Sequence, residues 1–428
     1  MKTSIISICF VVAAVLAQLP GYGNSVARAN AAEQHNAYEK AIIRNAEWLT
    51  SVEDSNGYIC VPADEYYGVP GDASLIGHAI SVRVYAWVLT GNKTFLESAL
   101  RSAKWLSGRQ DKNGGWKRDA GYALDAAQCV MEGFYTYEHF TGDRQFHDTL
   151  IRAADRMISG TVDPHGKMLV LNLTECGEYA HFSFLAWKQT GLERHRRGGK
   201  AILNNIMENF DEKEGFWNTA VAPKMNFLGK TEKFCLGPFL RFSISHFDLK
   251  GKTVAKMSEY TLPLIMKGNG PQYSLGMMDA ESLLDTLDNG SLNFPGLRAQ
   301  TEKAVEWVEK NCAGPVGGSF VESKKVPDGS EVYPLNSIND TVNATMWSTS
   351  AYLLALVGLN DVERYGERAA RVADWIISMQ DGDGGFITHQ APDGKRFGGK
   401  FGNINFYAST ALWYYNAYYI RWKVPERK

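Results

Sequence analysis

Residues 105–116 read Trp-Leu-Ser-Gly-Arg-Gln-Asp-Lys-Asn-Gly-Gly-Trp, and the phrase returns along the chain. Trp48-Leu49 leads to Glu53-Asp54 and Asn56-Gly57-Tyr58, and Trp375-Ile376 leads to Gln380-Asp381 and Asp383-Gly384-Gly385-Phe386. A weaker copy runs from Trp307 to Gly317-Gly318-Ser319-Phe320. Self-similarity of this kind marks an array of one supersecondary unit. The unit is a helix ending in a Gly-rich turn that leads to an aromatic.

A second phrase lies between the copies. Thr90-Gly91-Asn92, Thr141-Gly142-Asp143 and Thr190-Gly191-Leu192 each close an apolar, aromatic-rich stretch and open an amphipathic one. Glycine just past a helix end supplies a left-handed cap, so these are tight helix-to-helix turns, alternating with long loops. The 3.6-residue periodicity predicts two sets of helices. The more charged set covers about 34–50, 93–107, 143–159, 192–210, 250–267, 296–311 and 361–379. The less charged set covers about 73–91, 122–141, 176–191, 231–247, 275–287, 340–358 and 403–422. A helix apolar nearly all round is buried, and one with a single apolar stripe faces water. The pattern is therefore all-α, an α/α toroid of six or seven helical hairpins with an inner ring wrapped by an outer one.

Lys2 followed by the apolar run Ile5–Leu19 and by Ala29-Asn30-Ala31 reads as a signal peptide over 1–31. The remainder, 32–428, reads as a single toroid domain, secreted or periplasmic and monomeric. No further stretch is long and apolar enough to insert in a membrane. A net charge of −2 leaves no nucleic-acid footprint. Five cysteines remain beyond the leader, an odd number at wide spacings, which signals neither a disulfide framework nor a zinc site.

The long loops all run from an outer helix to the next inner one, so they crowd one rim, above the inner-helix N-termini. Those termini carry a positive dipole end that favours anions, which suits an acidic sugar. The helix starts are rich in polar residues: Asp72 with His78 a turn on; Tyr122, Asp125 and Gln128; Glu178, Tyr179 and His181; Asp340, Asn343 and Trp347; Asn405 and Tyr407. Asp72 and Asp340 read equally as ordinary N-caps, and His78 and His181 equally as core histidines. Together they read as a site, because buried charge is costly without a partner or a role.

The segments Gly71-Asp72…Tyr85-Ala86-Trp87…Thr90-Gly91-Asn92 and Leu124-Asp125…Tyr135-Thr136-Tyr137-Glu138…Thr141-Gly142-Asp143 resemble successive hairpins of six-hairpin glycosidases, above all the unsaturated glucuronyl hydrolase type. The resemblance implies that Asp72 and Asp125 flank the sugar. The turn phrase is also similar to those of toroidal pectate lyases and of the terpene cyclase and prenyltransferase repeat. An Asp-x-Asp-Asp acid motif is missing, and export argues against a prenyl diphosphate.

The expectation is an enzyme that hydrolyses glycosidic bonds of acidic, uronate-containing poly- or oligosaccharides with paired carboxylates. Asp72 and Asp125 lead the catalytic set, with His78, His181 and Glu178. Tyr122, Gln128, Tyr179, Asp340, Asn343, Trp347, Asn405 and Tyr407 are the substrate-binding candidates. A polysaccharide lyase is the alternative, with His78, His181, Tyr179 or Tyr407 as base and Asn343, Arg83, Lys230 and Lys233 neutralising the uronate. A sugar epimerase would use a similar set, and a non-catalytic glycan-binding ring would dispense with the paired acids. No cofactor is signalled. Asp279, Glu281 and Asp340 are candidates for Ca²⁺, without a ligand loop of known spacing.

Overall fold

The computed structural model describes residues 35–59, 73–118, 121–122, 124–167, 173–208, 296–321, 342–359, 361–400 and 402–421, with short pieces at 169, 210–213 and 216–217. Among them are eleven α-helices: α1 Ala37–Ser51, α2 Ala73–Thr90, α3 Lys93–Ser107, α4 Leu124–Thr141, α5 His147–Thr161, α6 Leu173–Thr190, α7 Glu193–Glu208, α8 Leu297–Cys312, α9 Met346–Leu359, α10 Val362–Ser378 and α11 Gly402–Tyr415. A π-helical turn, Asn416–Arg421, prolongs α11. The expected helices at 231–247, 250–267 and 275–287 lie outside the described residues.

The helices form the two rings of an α/α toroid. α9, α11, α2, α4 and α6 pack side by side in that order, and α10, α1, α3, α5 and α7 lie outside them. The C-terminal helix closes the ring by fitting between α9 and α2. Outer helices bury one stripe each; α10 buries Tyr365, Ala369, Val372, Ala373, Trp375 and Ile376 and shows water its charged face. Their starts are capped locally: Asn36 and Glu39 form a capping box on α1, Asn92 caps α3 and Asp361 caps α10.

Inner helices run parallel and in register. Gly77 and Gly133 meet so closely that a Cβ on Gly133 would lie 2.3 Å from the Gly77 carbonyl oxygen. Ser81 Oγ bonds Thr136 Oγ1 at 3.2 Å a turn further on. On the other side of α2, His78 stacks on Phe406 and Tyr85 on Trp413. All three helices thus ascend together, with their N-termini toward one rim.

The repeated phrase docks each unit on the next. Asp111 N–H donates to the Gly115 carbonyl and Gly114 N–H to the Asp111 carbonyl, while the Asp111 carboxylate accepts from Asn113 and Gly115. Gln110 Nε2 then donates to the carbonyls of Gly114 and of Thr149 on α5. The last copy repeats this on the first outer helix, where Gln380 Nε2 bonds the carbonyls of Gly384 and Ala41. Gly114 and Gly384 have φ of +85° and +99°, and a Cβ there would sit 2.1 Å from Arg152 O and 2.2 Å from Arg44 O. Only glycine permits both the left-handed backbone and the approach.

One expected boundary is corrected. The helix read over 340–358 begins at Met346, because Ala344–Thr345 form a strand, β5, of a small antiparallel sheet. That sheet has the order β5–β6–β7, with β6 His389–Gln390 and β7 Arg396–Phe397. Two further hairpins of two-residue strands, β1 Lys117–Arg118 with β2 Gly121–Tyr122 and β3 Phe210–Asp211 with β4 Phe216–Trp217, decorate long loops of the helical ring.

Candidate functional site

The register of α2, α4 and α11 brings a histidine, a carboxylate and two aromatics together one to two turns inside the helix starts. His78, on α2, is 2 % exposed, and its Nδ1 lies 3.5 Å from Oε2 of Glu132 on α4, itself buried. Phe406, on α11, covers the imidazole face, with ring centroids 3.9 Å apart and planes 15° from parallel, and Tyr407 stands at 5.7 Å. His78 Nδ1 makes no hydrogen bond. An imidazole held flat against an aromatic ring beside a buried carboxylate is placed for proton transfer, because only a small movement separates approach from bonding.

Below this layer lie Tyr85 and Tyr414, both fully buried. Burial pushes both hydroxyls far above the usual phenol range, and the negative charge of Glu132 pushes the same way. Burial thus favours the neutral phenol at both positions.

Arg83, expected as a neutralising group at the rim, is placed elsewhere. It faces outward from α2 and is fully buried, Nη1 donating to Ser102 Oγ at 2.8 Å and Nη2 to the Leu49 carbonyl at 3.0 Å. Glu53, from the first copy of the repeat, stands 3.5 Å from it and also accepts from Arg101, Ser98 and Ser102. Burial lowers the Arg83 guanidinium to about 10, against the pull of Glu53, and it remains a cation. This is a knot that ties α1, α2 and α3.

Asn405 is fully buried, and its Oδ1 accepts from Asn45 Nδ2 at 2.6 Å and from Phe386 N–H at 2.7 Å. That oxygen holds the last repeat turn to α1 and α11. Tyr179 on α6 and Tyr407 on α11 are buried, while Asn343, next to β5, is half-buried. Tyr122, Asp125, Gln128, Glu178, His181 and Trp347 lie on described backbone, with side chains outside the described residues; Asp125 is in the first turn of α4 and His181 within α6. Asp72, Asp340, Lys230, Lys233, Asp279 and Glu281 lie outside the described residues altogether. Among the described residues, no group of three or more His, Cys, Asp or Glu side chains is arranged to hold a metal, and no helix is long and apolar enough to cross a membrane.

Glu132 and His389 escaped the sequence reading. Glu132 stands about one repeat after His78, so superposing the copies of the repeat would have brought it opposite. His389 sits on a two-residue strand with no periodicity to reveal it.

No family model and no curated protein matches the chain. Solved structures share its fold. An unsaturated glucuronyl hydrolase specific for heparin superposes with a TM-score of 0.59 at 11% identity, covering 89% of this chain and 97% of that one. The cellobiose 2-epimerase from Bacillus thermoamylovorans B4167 gives 0.59 at 11% identity, over 88% and 99%. An inactive variant of the α-1,6-mannanase of Salegentibacter sp. HEL1_6, in complex with α-1,6-mannotriose, gives 0.56 at 8% identity, over 88% and 98%.

Proposed function

We propose that this protein is a secreted carbohydrate-active enzyme that acts in the mouth of its toroid on acidic poly- or oligosaccharides, by glycosidic hydrolysis. The observation that carries the reading is the layer of His78, Glu132, Phe406 and Tyr407 beneath the inner-helix N-termini, in a fold shared with a glucuronyl hydrolase, a cellobiose 2-epimerase and a mannanase. Asp72, the residue before α2 in the sequence, and Asp125, in the first turn of α4, are the proposed acid and base or nucleophile. Glu178 and His181 stand in support. Tyr122, Gln128, Tyr179, Asp340, Asn343, Trp347 and Tyr407 are the proposed substrate contacts, with uronates drawn by the helix dipoles.

A second reading is favoured by the His78–Glu132 pair itself. An imidazole backed by a carboxylate suits proton abstraction beside a uronate or carbonyl, the step of β-elimination or epimerisation. One experiment separates the readings. The purified protein is incubated with pectins, glycosaminoglycans, alginate and their unsaturated oligosaccharides, and the ultraviolet absorbance of the unsaturated uronate is followed, with product sugars resolved by chromatography. Loss of absorbance, or new reducing ends without it, means hydrolysis; a rise means elimination; a new epimer with neither means epimerisation. No change in any saccharide removes the enzyme reading.

A further inference from the structure

The β5–β6–β7 sheet has two unlike faces, because side chains alternate along a strand and paired residues share a side. Ala344, Gln390 and Arg396 share one face. Gln390 Oε1 accepts from Trp375 Nε1 at 2.7 Å, and Arg396 Nη1 donates to the carbonyls of Ser378 and Gln380 at 3.1 Å each. This face therefore lies on outer helix α10. Thr345, His389 and Phe397 share the opposite face, which turns away from the outer ring. Met346 N–H donates to the Thr388 carbonyl at 2.8 Å, which anchors the hairpin on the first residue of inner helix α9. The sheet thus stands at the N-terminal end of α9, with Thr345 and His389 buried and Phe397 at its exposed edge.

That face is built with care. The rings of His389 and Phe397 stack at 5.2 Å and 22°. His389 Nδ1 and Thr388 Oγ1 share a hydrogen bond of 2.8 Å, which fixes the imidazole plane. Gly398, at φ +88°, leaves the room: a Cβ there would lie 2.0 Å from Thr388 Oγ1 and 3.1 Å from His389 Nδ1. His389 is 6 % exposed and Phe397 37 %. Among the described residues, Phe397 is the one aromatic among the exposed large apolar side chains. Its hairpin neighbours, from Asp393 to Lys400, are charged residues and glycines, so along the hairpin the exposed apolar surface is a single ring, which matches the apolar C–H face of one pyranose.

We propose that Phe397, held in plane by His389, is a stacking wall for one pyranosyl unit at the entrance of the ring. The proposal rests on the saccharide-processing reading above. The wall binds and orients and takes no part in bond cleavage.

The test uses the full-length protein and the saccharides that the wild type binds in the panel above. Affinity is measured by titration calorimetry, and KM and kcat on the substrates that turn over. A stacking contact of about 0.5–1.5 kcal/mol corresponds to roughly a two- to twelvefold change. F397A and F397L should both weaken binding and raise KM by this factor, with the loss on KM rather than kcat, and F397Y should restore both. Melting temperatures report that each variant is folded. Wild-type affinity in F397A or in F397L overturns the stacking wall while the saccharide reading stands. A wild type that binds no saccharide overturns both.

Discussion

His78 and Arg83 stand on the same helix, α2, roughly 140° apart around its axis at 100° per residue. Each faces a buried carboxylate, and the two pairs have opposite characters. Arg83 and Glu53 form a knot in which both guanidinium Nη atoms and both carboxylate oxygens are bonded across three helices. Its carboxylate comes from the repeat phrase, and it lies between the rings. His78 and Glu132 face each other between inner helices at 3.5 Å, with no hydrogen bond from Nδ1 and an aromatic ring against the imidazole. A buried charge tied through its terminal groups across three helices is frame, even with Arg83 Nε unpartnered, and a buried imidazole held beside a carboxylate without a hydrogen bond between them is a candidate for chemistry.

The largest effect expected from this contrast is on the frame. Glu53→Ala leaves Arg83 buried without its carboxylate, and breaking such a pair costs about 3–5 kcal/mol. Denaturant unfolding should register that loss while the folded fraction keeps its specific activity. A neutral result would remove the knot's structural role.

On the other side, Asp125→Asn should reduce hydrolysis by about two or more orders of magnitude with unchanged melting temperature, as for loss of a general acid or base. His78→Gln keeps the buried shape, and it separates the mechanisms. A milder loss than Asp125→Asn fits hydrolysis, whereas a more severe one moves the chemistry to the His78–Glu132 pair. Full activity in Asp125→Asn would remove the hydrolase assignment.

The repeat turns should behave as frame again. Gly384→Val forces a β-branched residue to a φ of +99° against the Arg44 carbonyl. It should cost at least about 1–3 kcal/mol, measured by urea unfolding, with activity per folded molecule retained. Activity lost at constant stability would instead put this turn in the site.

The smallest effect is on acid stability. The backbone N–H of Tyr58 holds the Asp54 carboxyl below its ordinary range, that of Lys167 does so for Asp163, and the Lys400 ammonium does so for Asp381. Carboxyls depressed in the folded state stabilise it above the unfolded value near about 4, and that stability drains as pH falls through the folded values. Melting temperature should therefore drop from about pH 5 downward. Asp163→Asn should flatten the drop, and an unchanged acid slope would show that this turn carboxylate does not contribute.

The ring was legible because each repeat writes its own punctuation. Gly114 and Gly384 are glycines for a reason that acts within a few residues, and Thr90-Gly91 and Thr141-Gly142 end helices where such pairs should. The site was legible only as a set of helix starts. His78 stood out as a histidine on an apolar helix, but Glu132 acquires meaning only from the lateral register set by Gly77 against Gly133. Arg83 was misplaced because the face an inner helix turns outward is as apolar in sequence as the face it turns inward. The β5–β6–β7 sheet was invisible because two-residue strands have no period.

Two closing contacts bear on how the chain folds. Asn36 Nδ2 bonds Asn416 Oδ1, 380 residues away, and Asn45 bonds Asn405 across 360. The first and last described helices, α1 and α11, thus complete each other's polar contacts, while α11 also lays Phe406 and Trp413 on α2. Loop closure over such a span costs only logarithmically more than over a short one, and contacts this far apart in sequence are of the kind that slow folding rather than weaken the fold.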